Sequence, residues 1–135
     1  MKYIIFLLFF QTILFSQVKS IYAPVEKQMR LIPEQQTKSA QEIASYIQAN
    51  FKGEELQIKA AYFYVISTIS YDVTYNFSTE LFSSDEDFVT KTISTKKGVC
   101  IHYAKFFKAI IDKLGYQCQI VTGYTKQNNQ ISNLS

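Results

Sequence analysis

Lys96-Lys97-Gly98-Val99-Cys100-Ile101-His102-Tyr103-Ala104, running on to Leu114-Gly115, is the stretch that decides how this chain of 135 residues is read. Gly98 ends a polar loop, Cys100 falls in the first turn of a helix, and Gly115 supplies the left-handed position at which helices commonly end. On a wheel of about 100° per residue, Tyr103, Ala104, Phe107, Ile111 and Leu114 fall within about 60° of Cys100, and Lys105, Lys108, Asp112 and Lys113 fall on the opposite half. Cys100 is therefore expected to face the body of the protein. His102, the only histidine, stands about 200° from Cys100 and is expected to face solvent, unable to turn back to the sulfur.

A thiol at that position has a defined chemistry. The thiolate is the nucleophile, and a helix N-terminus favours it by holding partial positive charge and free amide hydrogens beside the sulfur. The same amides can stabilise an oxyanion, and Gly98 leaves room for a substrate to approach, so acyl transfer is the natural reaction class. Such a reaction also needs a general base, usually histidine, and a group to orient it. Plain packing is the other role open to a lone cysteine on an apolar helix face. Cys118, the second cysteine, is read as a small buried residue of the following strand. No disulfide is expected between the two, because a helix of about 15 residues and some 20 Å separates them.

Downstream, Tyr116 to Tyr124 alternates and predicts one β-strand, and the tail from Lys126 reads as a turn or loop. Upstream, Ser39-Ala40-Gln41-Glu42 fits a capping box that opens a helix with Ile43, Ile47 and Phe51 on one face, stopped by Gly53. A second helix is predicted from about Glu54 to Ser70, with Leu56, Ala60, Phe63 and Ile66 at helical spacing and an uncertain boundary near Ile69-Ser70-Tyr71-Asp72. Asp72 is read as a hydrogen-bonding structural residue. From Val73 to Lys97 the chain reads as a long surface loop in which Asp85 caps a short helix.

The first residues read as an export signal, with Met1-Lys2-Tyr3 leading into Ile4-Ile5-Phe6-Leu7-Leu8-Phe9-Phe10 and Ile13-Leu14-Phe15. Gln11-Thr12 breaks the run, which falls short of the roughly 20 apolar residues of a membrane span. Cleavage is expected after Ser16, with Ser20 the alternative, giving a secreted or periplasmic protein with no stable membrane insertion after cleavage; an uncleaved N-terminal anchor is the other reading of this segment, and neither leaves the protein in the cytoplasm. Residues 17–37, with Pro24 and Pro33 as breakers, read as an irregular leader. About 115 residues then remain, enough for one domain. The formal charge of +3 becomes +2 once Lys2 is gone, and its even spread excludes nucleic acid as an expected partner. No zinc spacing, calcium loop or phosphate loop is present, so neither metal nor organic cofactor is expected.

Gly98-Val99-Cys100, Tyr103-Ala104, Phe107, Leu114-Gly115 and Val121-Thr122-Gly123-Tyr124, with Ile69-Ser70-Tyr71-Asp72 before them, resemble the core of the transglutaminase-like superfamily, including its bacterial members and its kyphoscoliosis-peptidase branch. The resemblance implies an α+β, papain-like fold in which Cys100 opens a central helix packed on an antiparallel sheet. It implies a chain that is mostly helical here, with one or two β-strands after the cysteine helix, and residues 38–135 as the N-terminal part of the domain. By the resemblance Cys100 is the nucleophile, attacking a glutamine side-chain amide or a peptide bond of a protein or peptide substrate through a thioester. Hydrolysis and cross-linking both stay open. The family's histidine follows the segment matching Gly123-Tyr124, with the aspartate one strand later, and no residue here matches either. The chain is thus expected to be a truncated, inactive cysteine half of such an enzyme. A non-catalytic secreted module that binds peptides, or presents its many tyrosines and phenylalanines as an interaction surface, is the alternative.

Overall fold

The computed structural model describes residues 22–75, 82–127 and 130–133. The expected export signal lies outside them. Among the described residues no helix is long and apolar enough to cross a membrane.

The expected leader is not irregular throughout. Helix α1 spans Ala23–Met29, with Pro24 in its first turn where a missing N–H does no harm. Its Val25 and Met29, four residues apart, are buried in the core. A short 3-10 turn, Glu34–Gln36, follows Pro33.

Helix α2, Ala40–Asn50, begins where the capping residues predict. The Ser39 hydroxyl accepts the Glu42 N–H at 3.2 Å, and the Glu42 carboxylate reaches back to the Lys38 N–H at 2.9 Å, one residue earlier than a strict capping box would have it. Ile43 and Ile47 are fully buried, and Phe51 completes that face. Gly53, at φ 87°, turns the chain into helix α3, Glu54–Thr68. Ala60, Ala61, Phe63, Tyr64 and Val65 of α3 are buried, because α1, α2 and the cysteine helix all pack on it.

Between Val73 and Lys97 the expected short helix is longer than read and has a different cap. Helix α4, Asp85–Thr95, fills eleven residues of this stretch. Ser84, not Asp85, is the N-cap, its hydroxyl accepting the Asp87 N–H at 3.1 Å. The acidic first turn Asp85-Glu86-Asp87 suits the positive helix end, and Phe88, Val89 and Thr92 turn inward. Thr92 is buried without loss because its hydroxyl donates to the Phe88 carbonyl at 2.8 Å.

Two short strands, β1 (Ser70–Tyr71) and β2 (Lys97–Gly98), pair in parallel, Ser70 opposite Lys97 and Tyr71 opposite Gly98. The Ser70 and Asp72 N–H groups donate to the Lys96 and Gly98 carbonyls, each at 2.9 Å. Helix α5, Cys100–Leu114, follows at once and ends at Gly115, whose φ of 88° is the predicted left-handed stop. It packs on α2, α3 and α4 and is the centre of the molecule.

The strand expected over Tyr116 to Tyr124 is absent. Residues 116–123 form no ladder; their exposure alternates nonetheless, with Tyr116, Cys118 and Ile120 half-buried between exposed neighbours. Strand β3 begins only at Tyr124 and runs to Gln127, pairing antiparallel with β4, Gln130–Asn133. The tail read as a loop is thus largely a hairpin, whose turn residues fall outside the described ones. The architecture is α+β and mostly helical, with the cysteine helix followed by two strands, as expected.

Candidate functional site

Cys100 is the first residue of α5 and is exposed. It does not face the body of the protein as the helical wheel led us to expect. With Cys100 set at zero, the buried His102, Phe106, Ile110, Leu114 and Ile111 stand at about 200°, 240°, 280°, 320° and 20°. The core face is therefore centred about 80° from the sulfur, and no earlier helical turn exists to cover a side chain at the helix start.

His102 is the larger correction. It is 3% exposed, because α4 covers the side of α5 that was expected to face solvent. The imidazole lies 4.4 Å from the Phe88 ring and meets the Tyr75 ring edge-on at 4.7 Å. Its Nδ1 accepts the Val99 N–H at 3.2 Å. This is half of a capping box, with histidine at the third helical position in place of glutamate or glutamine. A neutral imidazole that accepts at Nδ1 carries its proton on Nε2. Neither ring nitrogen then has a free lone pair to take the Cys100 proton, and His102 is not a base for this thiol.

Gly98 has a different reason from the one inferred. A Cβ at position 98 would stand 2.3 Å from Cγ and 2.4 Å from Cβ of His102. The glycine makes room for a protein side chain, not for a substrate.

The helix start offers two amides. The N–H groups of His102 and Tyr103 both donate to the Val99 carbonyl, at 2.9 and 3.5 Å. Those of Cys100 and Ile101 find no acceptor among the described residues, and helix geometry projects both from the end that carries the sulfur. Tyr103, one turn on from Cys100, ties the site to β1. Its hydroxyl donates to the Ile69 carbonyl at 2.8 Å, and its ring stands 6.4 Å from that of the exposed Tyr71.

Asp72 proves to be the structural residue it was read as, at the end of β1 rather than of a helix. Its Oδ1 accepts from the Thr74 N–H at 2.9 Å and the Thr74 hydroxyl at 2.7 Å. Those two bonds, the hydroxyl first, hold the carboxyl below its ordinary value of 3.8, and the nearby charge of Lys97 adds to the effect. Lys105 pairs with Asp85 at 2.7 Å and lies over the Phe88 ring at 4.5 Å, joining α5 to α4. Cys118 is free, half-buried and in no strand, packed against the core. A cleft of about 400 Å³ is lined by Ala40, Asp85, Val89, Ile93, Lys105 and Ala109 among others, and Cys100 is not part of its lining. Among the described residues no group of three or more His, Cys, Asp or Glu side chains is placed to hold a metal ion.

Sequence reasoning missed the structural roles of His102, Tyr75 and Phe88. The spacing of Gly98 and His102 across a helix start was the available signal, since a polar side chain at the third helical position can reach back to the N-cap amide.

The domain thus presents an exposed thiol at the first position of its central helix, beside two amides that find no acceptor among the described residues. The transglutaminase-like superfamily model matches residues 41–134, well over half of the chain, and the protein belongs to that superfamily. No curated protein and no solved structure gives a significant match.

Proposed function

We propose that Cys100 is the nucleophile of an acyl-transfer site acting on protein glutamine or peptide bonds. The observation that carries this reading is the exposed Cys100 sulfur at the start of α5 beside the N–H groups of Cys100 and Ile101. The thiolate attacks the carbonyl carbon of the substrate, and the two amides receive the negative charge that develops on its oxygen. The carbon–nitrogen bond breaks, the amine leaves with a proton, and a thioester to Sγ remains for water or a second amine to resolve.

The amine leaving group needs a proton donor, and the thiol a base. The chain's single histidine is engaged with the Val99 N–H, so the chain alone is expected to be inactive on amides. An activated ester removes that requirement, because p-nitrophenolate leaves without protonation. In p-nitrophenyl acetate the protein is expected to release p-nitrophenolate and to carry one acetyl group on Cys100, faster than the urea-unfolded chain does. Peptide mapping by mass locates the acetyl, and Cys100→Ser abolishes it. Acetylation no faster than in the unfolded chain would remove Cys100 from the role. Turnover of a glutamine peptide, lost in Cys100→Ser, would overturn the inactivity.

The protein is exported and its substrates are extracytoplasmic proteins or peptides. The apolar run from Ile4 to Phe15 supports this. N-terminal sequencing of secreted product is expected to begin at Gln17, or at Ile21; a product beginning at Met1 in the soluble cytoplasmic fraction would contradict export.

A further inference from the structure

We propose that His102 is a positioning residue for Cys100: by accepting the Val99 N–H at Nδ1 it fixes the turn between β2 and α5, and so holds the sulfur and the two open amides in one geometry. The proposal rests on the reading of Cys100 as the nucleophile, and it assigns to His102 a role through other groups, not contact with substrate.

Four observations converge on it. First, Val99 is the N-cap of α5 but has no side-chain acceptor to offer, so the usual hydroxyl or carboxylate cap is missing at the one helix start that carries the thiol. Helices α2 and α4 are capped by Ser39 and Ser84, and α1 and α3 start, like α5, without a side-chain acceptor at the N-cap, but at α5 a histidine three positions on takes that place. Second, Val99 is only 8% exposed, so its N–H needs a protein partner, and Nδ1 at 3.2 Å is that partner. Third, the imidazole cannot swing away. Phe88 and Tyr75 pack against it at 4.4 and 4.7 Å, and it fills the space that a side chain at position 98 would need. Fourth, the same turn is held from its other side by the Gly98 carbonyl, which accepts the Asp72 N–H at 2.9 Å.

The consequence is chemical. With the Val99 N–H held by the ring and the Val99 carbonyl shared by His102 and Tyr103, the turn has no freedom to rotate the first peptide units of α5. The amides of Cys100 and Ile101 are then left pointing out of the helix end. Releasing the Val99 N–H lets the turn seek another acceptor, and the nearest change of peptide orientation moves those amides away from where a carbonyl oxygen would sit. A displacement of about 1 Å in such a site can cost on the order of a hundredfold in rate.

The test uses the whole chain and the acetylation of Cys100 by p-nitrophenyl acetate. Asparagine places Oδ1 where histidine places Nδ1, so His102→Asn keeps the acceptor, whereas His102→Leu fills the space without one. His102→Asn is expected to acetylate Cys100 within about threefold of the parent, and His102→Leu at least about tenfold more slowly. Cys118, alkylated by iodoacetamide at an unchanged rate, shows that each variant is folded. Equal rates for His102→Leu and the parent would overturn the proposal, as would loss of rate in both variants, which would assign the effect to the ring and not to its acceptor. Should His102→Leu fail to fold, the parent itself decides. Nitrogen-15 correlation spectra of the single histidine, at a pH where the ring is neutral, are expected to show the proton on Nε2, and a proton on Nδ1 would overturn the proposal. Failure of the parent to acetylate at all would instead remove the nucleophile reading and leave the tautomer measurement standing.

Discussion

Asp72 and His102 were both visible as polar residues near the cysteine, yet only one was read correctly. Asp72 makes its bonds locally, to the residue two positions on, and aspartate does this in almost any turn. His102 is partnered by Phe88 and Tyr75, fourteen and twenty-seven positions away, and a wheel drawn on one helix contains neither. The Asp72 reading can be checked directly. Thr74→Val removes the hydroxyl bond, and the Asp72 carboxyl, followed by NMR titration, is expected to rise toward 3.8. Because the folded value is depressed, the carboxylate's contribution to stability is present above that ordinary value and is lost as pH falls through the folded one. Thr74→Val should narrow this acid window, and an unmoved titration would show that the Thr74 bond is not its cause.

Among the elements, those with caps and a wide apolar face were the legible ones. Helix α2 was predicted with its start at Ser39 and its face at Ile43, Ile47 and Phe51, and the structure agrees. Helix α4 was expected only as a short helix capped by Asp85, because Asp85-Glu86-Asp87 is polar and only Phe88, Val89 and Ile93 are large and apolar; it is capped by Ser84 and runs to Thr95. Its stability owes much to Ser84 and to acidic residues at a positive helix end. Ser84→Ala is accordingly expected to lower stability by about 1 kcal/mol in urea denaturation, while Ser94→Ala, on the exposed side of the same helix, should stay within about 0.5 kcal/mol. Equal effects would mean that the cap does not hold α4. Residues 116–123 erred in the opposite direction. Alternation is a true property of an extended chain with one side on the core, but a strand also requires a neighbour for its N–H and C=O groups, and none of the described residues supplies one there.

The whole molecule is organised around α5, which buries Phe106, Ile110, Ile111 and Leu114 against α2, α3 and α4. Tyr64 of α3 lies in this core at 6% exposed. Burial pushes its phenol above the ordinary value of 10.0, against the hydrogen bonds with Thr37 and Thr68 that pull it down. A raised folded value means that stability is fully present below pH 10.0 and falls as pH rises through the folded value. The protein is therefore expected to lose stability above pH 10.0, and Tyr64→Phe, which has no proton to lose, to lose less of it over the same range. Parallel urea midpoints against pH for the two proteins would show that Tyr64 is not the group responsible.

What could be read along the chain was whatever depends on neighbours in sequence. The helix starts at Ser39 and near Cys100, the glycine stop at Gly115 and the placement of a thiol at a helix N-terminus follow from caps, spacing and turn residues within a few positions of one another, and the α+β character was what the family resemblance implied. The burial of His102, the exposure of Cys100 and the reason for Gly98 did not follow. Each depends on which side of α5 is covered, and that is settled by α3, α4 and the segment at Tyr75 closing on it from distant parts of the chain. A helical wheel orders side chains around an axis, but only packing against other elements tells which of those directions is the inside.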